Sequence, residues 1–397
     1  MPKLKPGYLI IIPWDLKAIG GVNQVVVNLY DEMAADAVYE PYILINDWSA
    51  AKPITAIESG RTIIRCRLRS IYKKGQTLHS AISFIVKAPF EMWRISRLLK
   101  TNKIETINFH FPTHAATIFI LMRQLRLIDT KIIVSIHGTD INAANQTKGV
   151  EKRWWEFIFR NSDAIIGCSN RLTAKATELL PSVHSKSHTI YNGINITQAT
   201  AESGTIYEDF KQFQGRTLVT VIGTIEHTKG LDTFVDSIPS IANEFPDTHF
   251  VIAGRSTSYE RELEQQISQS DYSSRIHLFK NLPHQKALAL MRLSTVFTLP
   301  SRRESFGIVL LEAGVNRVPI VCTEICGALE VLARNSCQIV PSEDPAALAA
   351  AVLELLQNPE QRDCMVKTMA ACIKSKLEWN QTYLAYNTVA KNLLAEQ

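Results

Sequence analysis

Residues 295–314 read Thr-Val-Phe-Thr-Leu-Pro-Ser-Arg-Arg-Glu-Ser-Phe-Gly-Ile-Val-Leu-Leu-Glu-Ala-Gly. Thr295–Leu299 is a short apolar run, the pattern of a buried strand, and Phe306–Gly314 has the pattern of a helix. A strand that turns through a short loop into a helix is the repeating half of a βα unit. Gly307 at the helix start lets backbone N–H groups come close to a ligand, and the helix dipole favours an anion there. Glu304 in the loop and Glu312 inside the helix lie roughly two turns apart and can face one side. Glu312 is flanked by Val309, Leu310, Leu311, Ala313 and Val315. A carboxylate among such neighbours usually has a buried partner or a polar task. Carboxylates also accept hydrogen bonds from vicinal hydroxyls. The plainer reading of the two acids is a solvated Glu304 and a salt-bridged Glu312.

The same alternation runs outward in both directions. Upstream, strands are predicted at Tyr8–Ile12, Tyr42–Ile45, Thr62–Arg65, Ile104–Phe109, Lys131–Ile136, Ala164–Gly167 and His188–Tyr191. Helical patterns lie between most of them, as at Val22–Met33 and Leu78–Leu99. A second series has strands at Thr217–Gly223, Thr248–Ala253, Arg275–Leu278, Thr295–Leu299, Val318–Cys322 and Gln338–Val340. Between the two series, residues 199–215 are polar and without periodicity. The reading is therefore an α/β chain of two Rossmann-like, doubly wound domains: 1–198, a linker at 199–215, 216–375, and a closing helix within 376–397. Ligands of such sheets bind outside the carboxyl ends of the strands, so the residues just after strands are the candidates, and two such domains are expected to face a central cleft.

Length and composition agree. A chain of 397 residues exceeds one compact core, and 46% hydrophobic with 20% charged residues is ordinary for a globular protein. No apolar run reaches the roughly 18 residues needed to span a bilayer. Pro13 and Trp14 cut short the apolar start, so a buried first strand and a cytoplasmic location are expected rather than a secretory signal. Seven scattered cysteines form no disulfide framework, and Cys322 and Cys326 lack a second ligand pair for zinc. They read as reduced core thiols.

Three further strand-to-helix junctions carry candidate residues. Gly223-Thr-Ile-Glu-His-Thr-Lys-Gly230 is a glycine-bounded loop with Lys229 at a helix start, suited to phosphate oxygens although it lacks the Walker spacing. Gly20-Gly21 follows the first strand and permits close backbone approach to a ligand, or makes a simple turn. His137-Gly-Thr-Asp140 ends the strand Lys131–Ile136, placing His137 for hydrogen bonding or proton handling and Asp140 beside it on the acceptor side. His110, ending the preceding strand, lines the same face or packs. No Asp-x-Asp occurs, which argues against a divalent ion held on a diphosphate.

Charge is unevenly spread. From Arg61 to Lys103 there are eleven lysines and arginines, opposed only by Glu91. Ile82, Phe84, Ile85, Phe90, Trp93 and Ile95 are interleaved with them. That mixture fits an anionic membrane surface, with Arg65, Arg67, Arg69, Lys73 and Lys74 as its cations; a buried apolar face with a solvated basic one fits equally. No nucleic-acid-binding signature accompanies the charge, so no nucleic acid is expected as a partner.

In order, these motifs resemble the family 4 retaining glycosyltransferases (glycosyl transferases group 1, GT-B fold). The resemblance takes in Gly20-Gly21, His137-Gly-Thr-Asp140, Ile190-Tyr-Asn-Gly193, Gly223 to Gly230, Ala253-Gly254, Glu304 to Glu312, Pro319-Ile-Val321, and Gly327 with Glu330, nearly the whole chain. It implies a metal-independent enzyme without cofactor, taking a nucleotide-sugar, UDP- more often than GDP-linked, to a glycan or lipid-linked acceptor. By resemblance, Glu312 binds the nucleotide ribose, while Glu304 and the backbone of Ser305, Phe306, Gly307 and Ile308 hold the donor sugar. Lys229, with Gly223 and Thr224, contacts the diphosphate, which Gly20 and Gly21 approach from the first domain. His137 hydrogen-bonds the transferred sugar, and Leu282 lies near the base. His137, Lys229 and Glu304 are the catalytic candidates, and the last helix closes back toward the first domain.

Three positions depart from the family pattern: Thr224 where arginine is frequent, Arg317 for glycine and Asn195 for aspartate. Threonine at 224 brings no cation to the phosphates, so one cationic phosphate contact is either missing or supplied elsewhere, with His227 and Arg302 as the candidates. Two rival readings stay open, a nucleotide-sugar epimerase on the same fold and a catalytically silent nucleotide-sugar-binding protein.

Overall fold

The computed structural model describes residues 5–17, 20–50, 52–72, 77–201, 204 and 206–395. The chain divides into two compact units, Met1–Asn192 with Trp379–Gln397, and Gly193–Glu378. The segment 199–215 is not bare coil: it includes a short 3-10 helix, Glu208–Phe213, whose Phe210 and Phe213 are buried.

The first unit runs β1 (Gly7–Ile12), α1 (Gly21–Asp36), β2 (Glu40–Asn46), β3 (Ile54–Glu58), β4 (Arg61–Cys66), α2 (Thr77–Thr101), β5 (Ile104–His110), α3 (Ala116–Gln124), β6 (Lys131–Ile136), α4 (Thr139–Gln146), α5 (Gly149–Asn161), β7 (Ala164–Gly167), α6 (Asn170–Leu179) and β8 (Ser187–Thr189). Its sheet order is β3-β4-β2-β1-β5-β6-β7-β8, parallel except for the β3–β4 pair. β1 is buried at every residue, as a central parallel strand covered on both faces must be. β3 went unforeseen because its side chains are exposed or half-buried, leaving no apolar face to show.

The second unit runs α7 (Ile196–Thr200), β9 (Leu218–Ile222), α8 (Leu231–Glu244), β10 (His249–Gly254), α9 (Glu260–Gln269), β11 (Ile276–Lys280), α10 (His284–Arg292), β12 (Val296–Leu299), α11 (Ile308–Val315), β13 (Ile320–Thr323), β14 (Gln338–Val340), α12 (Pro345–Gln357) and α13 (Pro359–Lys376). All six strands are parallel, in the order β11-β10-β9-β12-β13-β14. α8 buries Leu231, Phe234, Val235, Ile238 and Ile241, one face at helical spacing. Burying each such side chain stabilises by about 1.5–3 kcal/mol. The core they join includes Val219, Phe250, Val321 and Val352.

α14 (Trp379–Ala395) returns to the first unit, as expected of the closing helix. Tyr383, Tyr386 and Ala390 enter the core built by Tyr8, Ile10, Val26 and Leu29. The Tyr383 hydroxyl donates to Asp36 at the end of α1.

The sequence direction of both sheets reverses about one pair of strands: β1 and β5 in the first, β9 and β12 in the second. At such switch points the following loops diverge and leave a crevice. The loops concerned hold Gly20-Gly21 and His110 in one unit, and residues 223–230 and 300–307 in the other.

Candidate active site

In the second unit the two switch-point loops are joined through their backbones. The amide N–H groups of Arg302 and Arg303 both donate to the Thr228 carbonyl, at 2.9 and 3.2 Å. Gly230 sits at φ 65°, and a Cβ there would overlap the Pro300 carbonyl oxygen, so only glycine lets the loops meet this closely. Between them the Lys229 ammonium lies 2.7 Å from Glu304 Oε2, with side chains 19% and 12% exposed. Burial disfavours the lysine's charge, but attraction and hydrogen bonding from Glu304 outweigh it, so its pKa is held above the ordinary value. Lys229 therefore stays cationic at neutral pH.

Gly307, at φ 95°, precedes α11, which starts at Ile308, two residues later than the apolar pattern predicts. No side-chain hydrogen bond from Gly307 caps this helix, and its first N–H groups bring the partial positive charge of a helix N-terminus to this loop. Phe306 is buried, and its carbonyl accepts from the Ala328 N–H at 2.8 Å, which fixes the loop from behind. Glu312 is 8% exposed, and its Oε1 is 2.8 Å from His284 Nε2. Its hydrogen bond to Glu312, first, and the carboxylate's charge raise the His284 pKa against the opposing effect of burial.

The sequence reading passed over His284. It is the first residue of α10, just after β11, the kind of junction that drew attention to His137. Leu282 lies half-buried in the same connection. The structure thus brings Gly223, Lys229, Glu304 and Gly307 together: a Cβ on Gly223 would touch Lys229 Cδ, and one on Gly307 would touch Glu304 Cγ.

Arg302 does not offer the substitute phosphate contact for which it is a candidate by sequence. Its guanidinium grips Asp232 through two 2.7 Å bonds and Glu343 through a third, and also donates to the His227 carbonyl. It staples loop to helix instead. His227 is exposed and meets the Tyr259 ring edge-on.

In the first unit His137 follows β6, with Nε2 3.1 Å from His110 Nδ1 and the rings stacked. His110 has no exposed surface and also stacks on Tyr386, so it packs, and it fixes how the His137 ring is turned. Burial brings His137 down to about 4; burial, then the neighbouring His137, puts His110 well below the usual histidine range. Both rings are neutral at pH 7. Asp140, expected on the acceptor side, spends both oxygens on the N–H groups of His137, Gly138 and Ile141, at 2.7–3.1 Å. It shapes the loop. Gly20 and Gly21 open α1 exposed; a Cβ on Gly20 would meet nothing within 4 Å, and its φ of 168° suits any residue. Neither strain nor packing among the described residues accounts for that glycine.

The basic stretch also needs correction. Arg65 pairs with Asp15 at 2.7 Å and Glu58 at 2.9 Å, Arg67 donates to the Trp48 carbonyl at 3.0 Å, and Arg69 pairs with Glu91 at 2.5 Å. These arginines bind their own unit before any membrane. Lys73 and Lys74 lie outside the described residues. Among the described residues, no helix is long and apolar enough to cross a membrane. Six of the seven cysteines are buried and none forms a disulfide.

Residues 205–370 match the family Glycosyl transferases group 1, and residues 19–198 match Glycosyltransferase Family 4. The chain is a family 4 glycosyltransferase. This glycosyltransferase is 24% identical over 389 residues to the phosphatidyl-myo-inositol mannosyltransferase of Mycobacterium leprae, across 96% of each chain. It is 25% identical over 274 residues to the glycogen synthase of Mycobacterium tuberculosis, across 65% of this chain and 64% of the synthase, less than two thirds of that relative. Anabaena HepE, solved in complex with UDP, superposes with a TM-score of 0.76 over 98% of this chain and 100% of its own, at 14% identity. The glycosyltransferase therefore has the GT-B fold, as its motifs implied.

Proposed function

We propose that the enzyme moves a sugar, with retention at the anomeric carbon and without metal or cofactor, from a nucleotide donor to a glycan or lipid-linked acceptor. UDP is the favoured nucleotide, and the products serve cell-surface polysaccharide or lipopolysaccharide synthesis at the cytoplasmic face of a membrane. The observation that carries this reading is the 2.7 Å Lys229–Glu304 pair at the switch point of the second sheet, where the N-terminus of α11 also lies. A buried ammonium and undercommitted backbone N–H groups at one place suit a diphosphate. The UDP bound by HepE and the lipid acceptor in the mannosyltransferase's name support the choice of substrates.

In the transfer, the bond between the sugar C1 and the diphosphate oxygen breaks, and negative charge grows on that oxygen. Lys229 and the N–H groups of Gly307 and Ile308 stabilise it, doing the neutralisation a divalent ion does elsewhere. The acceptor hydroxyl approaches the face the diphosphate leaves, the new C1–O bond forms, and the hydroxyl proton passes to a departing phosphate oxygen. The products are a nucleoside diphosphate and a glycoside of unchanged anomeric configuration. Glu304 orients Lys229 and accepts hydrogen bonds from sugar hydroxyls, Glu312 accepts from the ribose diol, and neutral His137 hydrogen-bonds the moving sugar.

Thermal shift over nucleotide sugars tests the donor reading, because a ligand of the folded state alone raises the melting temperature. A UDP-sugar is expected to raise it and Glu312→Ala to remove the rise; an unchanged rise in the variant sinks the ribose assignment.

A further inference from the structure

Lys229 is matched at 2.7 Å by Glu304, and Glu226 lies close enough to strengthen the hold on its proton. One ammonium against two carboxylates gives this corner no net positive charge from side chains. A nucleoside diphosphate is a multiply charged anion, and the N-terminus of α11 meets it with partial charges alone. Position 224, where the family pattern puts an arginine, holds threonine. Arg302 is committed to Asp232 and Glu343, and His227 meets the Tyr259 ring.

The structure puts a different cation beside Thr224. β9 and β10 pair in parallel, with Ala253 opposite Ile222. The ladder runs on past the ends of both strands. The Gly223 N–H donates to the Ala253 carbonyl at 2.9 Å, and the Ile225 N–H to the Arg255 carbonyl at 2.8 Å. Thr224, between those two bonds, therefore has Arg255 as its cross-strand neighbour, and residues in register share a face. Ile225 points into the core, so Thr224 and Arg255 face the other way, at the carboxyl end of the sheet where ligands bind. Neighbouring strands lie about 4.8 Å apart, a gap that an arginine side chain spans. Gly254 allows the close approach: a Cβ there would overlap the Gly223 carbonyl oxygen.

The backbone around Arg255 is fixed from its other side as well. The Asn281 N–H donates to the Gly254 carbonyl at 2.7 Å, and Asn281 Oδ1 accepts from the Ser256 N–H at 3.0 Å. The Arg255 side chain itself is exposed and has no hydrogen-bond or ion-pair partner among the described residues. A guanidinium carried on a pinned backbone and not spent on the protein suits two phosphate oxygens at once. Arg303 is also exposed and uncommitted, but its backbone is tied to Thr228 and not to Thr224.

We propose that Arg255 takes over the phosphate contact that the family pattern gives to position 224, its guanidinium reaching the diphosphate of the nucleotide donor from the β10 side. This rests on the nucleotide-donor reading above and adds the second cation to it.

Calorimetric titration of the whole protein with UDP or GDP, each paired with its nucleoside, tests the contact. Arg255→Gln is expected to weaken diphosphate binding about ten- to a hundredfold, the range for a hydrogen bond to a charged group, and to leave nucleoside binding unchanged. Arg255→Lys keeps the charge without the fork and is expected to fall between the wild type and Arg255→Gln. Thr224→Arg added to Arg255→Gln returns a guanidinium from the neighbouring strand and is expected to recover most of the loss. Arg303→Gln removes an equal charge from the other loop and is expected to weaken binding by less than about threefold, as a screened surface charge does. Melting temperatures verify that each variant is folded.

Undiminished diphosphate affinity in Arg255→Gln overturns the proposal. So does an equal loss for the nucleoside, which places Arg255 away from the phosphates, an equal loss in Arg303→Gln, which reduces the effect to surface charge, or no recovery with Thr224→Arg. A wild type that binds neither UDP nor GDP removes the nucleotide-donor reading itself. Wild-type binding that does not depend on Arg255 removes this contact alone.

Discussion

His284 and Glu312 share a 2.8 Å hydrogen bond that ties the first residue of α10 to the middle of α11. A carboxylate with one oxygen already engaged is held in a defined orientation, which is what recognition of a diol requires. Because that bond raises the histidine pKa, nuclear magnetic resonance titration is expected to find His284 above the ordinary histidine value in the wild type and lower in Glu312→Gln. In His284→Ala, UDP affinity is expected to fall by about tenfold or less, since one orienting hydrogen bond contributes about 1 kcal/mol. Equal histidine titration in wild type and Glu312→Gln refutes the coupling.

Lys229 and Glu304 are expected to be unequal in what they give to stability and to chemistry. Lys229→Met strands a mostly buried carboxylate and should destabilise by about 3–5 kcal/mol. Adding Glu304→Gln removes the stranded charge and should restore much of that stability. It should restore no activity, because the diphosphate still lacks its cation. Chemical denaturation and turnover measured on the single and double variants check this; recovery of turnover in the double variant excludes the phosphate role.

The histidine pair sets a pH dependence. An unfolded histidine titrates near 6.5, whereas burial holds folded His137 at about 4 and folded His110 well down. Below about pH 6.5 the unfolded chain takes up protons that the folded one refuses, so stability present above that pH is lost as pH falls toward 4. Asp140, raised to about 6 chiefly by burial, works in the opposite sense over about pH 4–6. The difference between variants isolates the histidines. His110→Asn/His137→Asn is expected to lose less stability than the wild type between pH 7 and 5, by up to about 1.4 kcal/mol per pH unit for each histidine. Parallel profiles sink the assignment.

Gly230→Ala should be costly out of proportion to one methyl group. It combines a left-handed backbone with overlap against the Pro300 carbonyl, which a side-chain rotation cannot relieve. Strain and overpacking together are expected to cost about 3 kcal/mol or more. Gly20→Ala, in open space at extended φ, should leave stability unchanged within about 0.5 kcal/mol. Melting temperatures of the two variants make the comparison, and equal losses contradict it.

The strands that decide the fold were legible because parallel strands are buried on both faces: Lys131–Ile136 and Ala164–Gly167 fall where the apolar runs place them. β3 was not, since exposed residues carry no burial signal. At the site, Lys229 and Glu304 could be nominated from their loops, but their pairing spans 75 positions of sequence and only the switch point in strand order brings it about. Arg302 drops out as a candidate phosphate contact for the same reason: Asp232 and Glu343, which occupy it, lie 70 and 41 positions away. Asp140 was placed correctly beside His137 but given a ligand-facing task, when its short side chain reaches the backbone ahead of it.

α14 completes a core begun by residues 8–45, although residues 193–378 form a unit of their own in between. On the ribosome the usual order of domain maturation is therefore inverted. The second unit has all its strands before the first has its last helix. Until Trp379–Ala395 have been translated, Tyr383, Tyr386 and Ala390 are missing from the core around Tyr8, Ile10 and Val26, and the nascent first sheet must wait with that greasy flank uncovered.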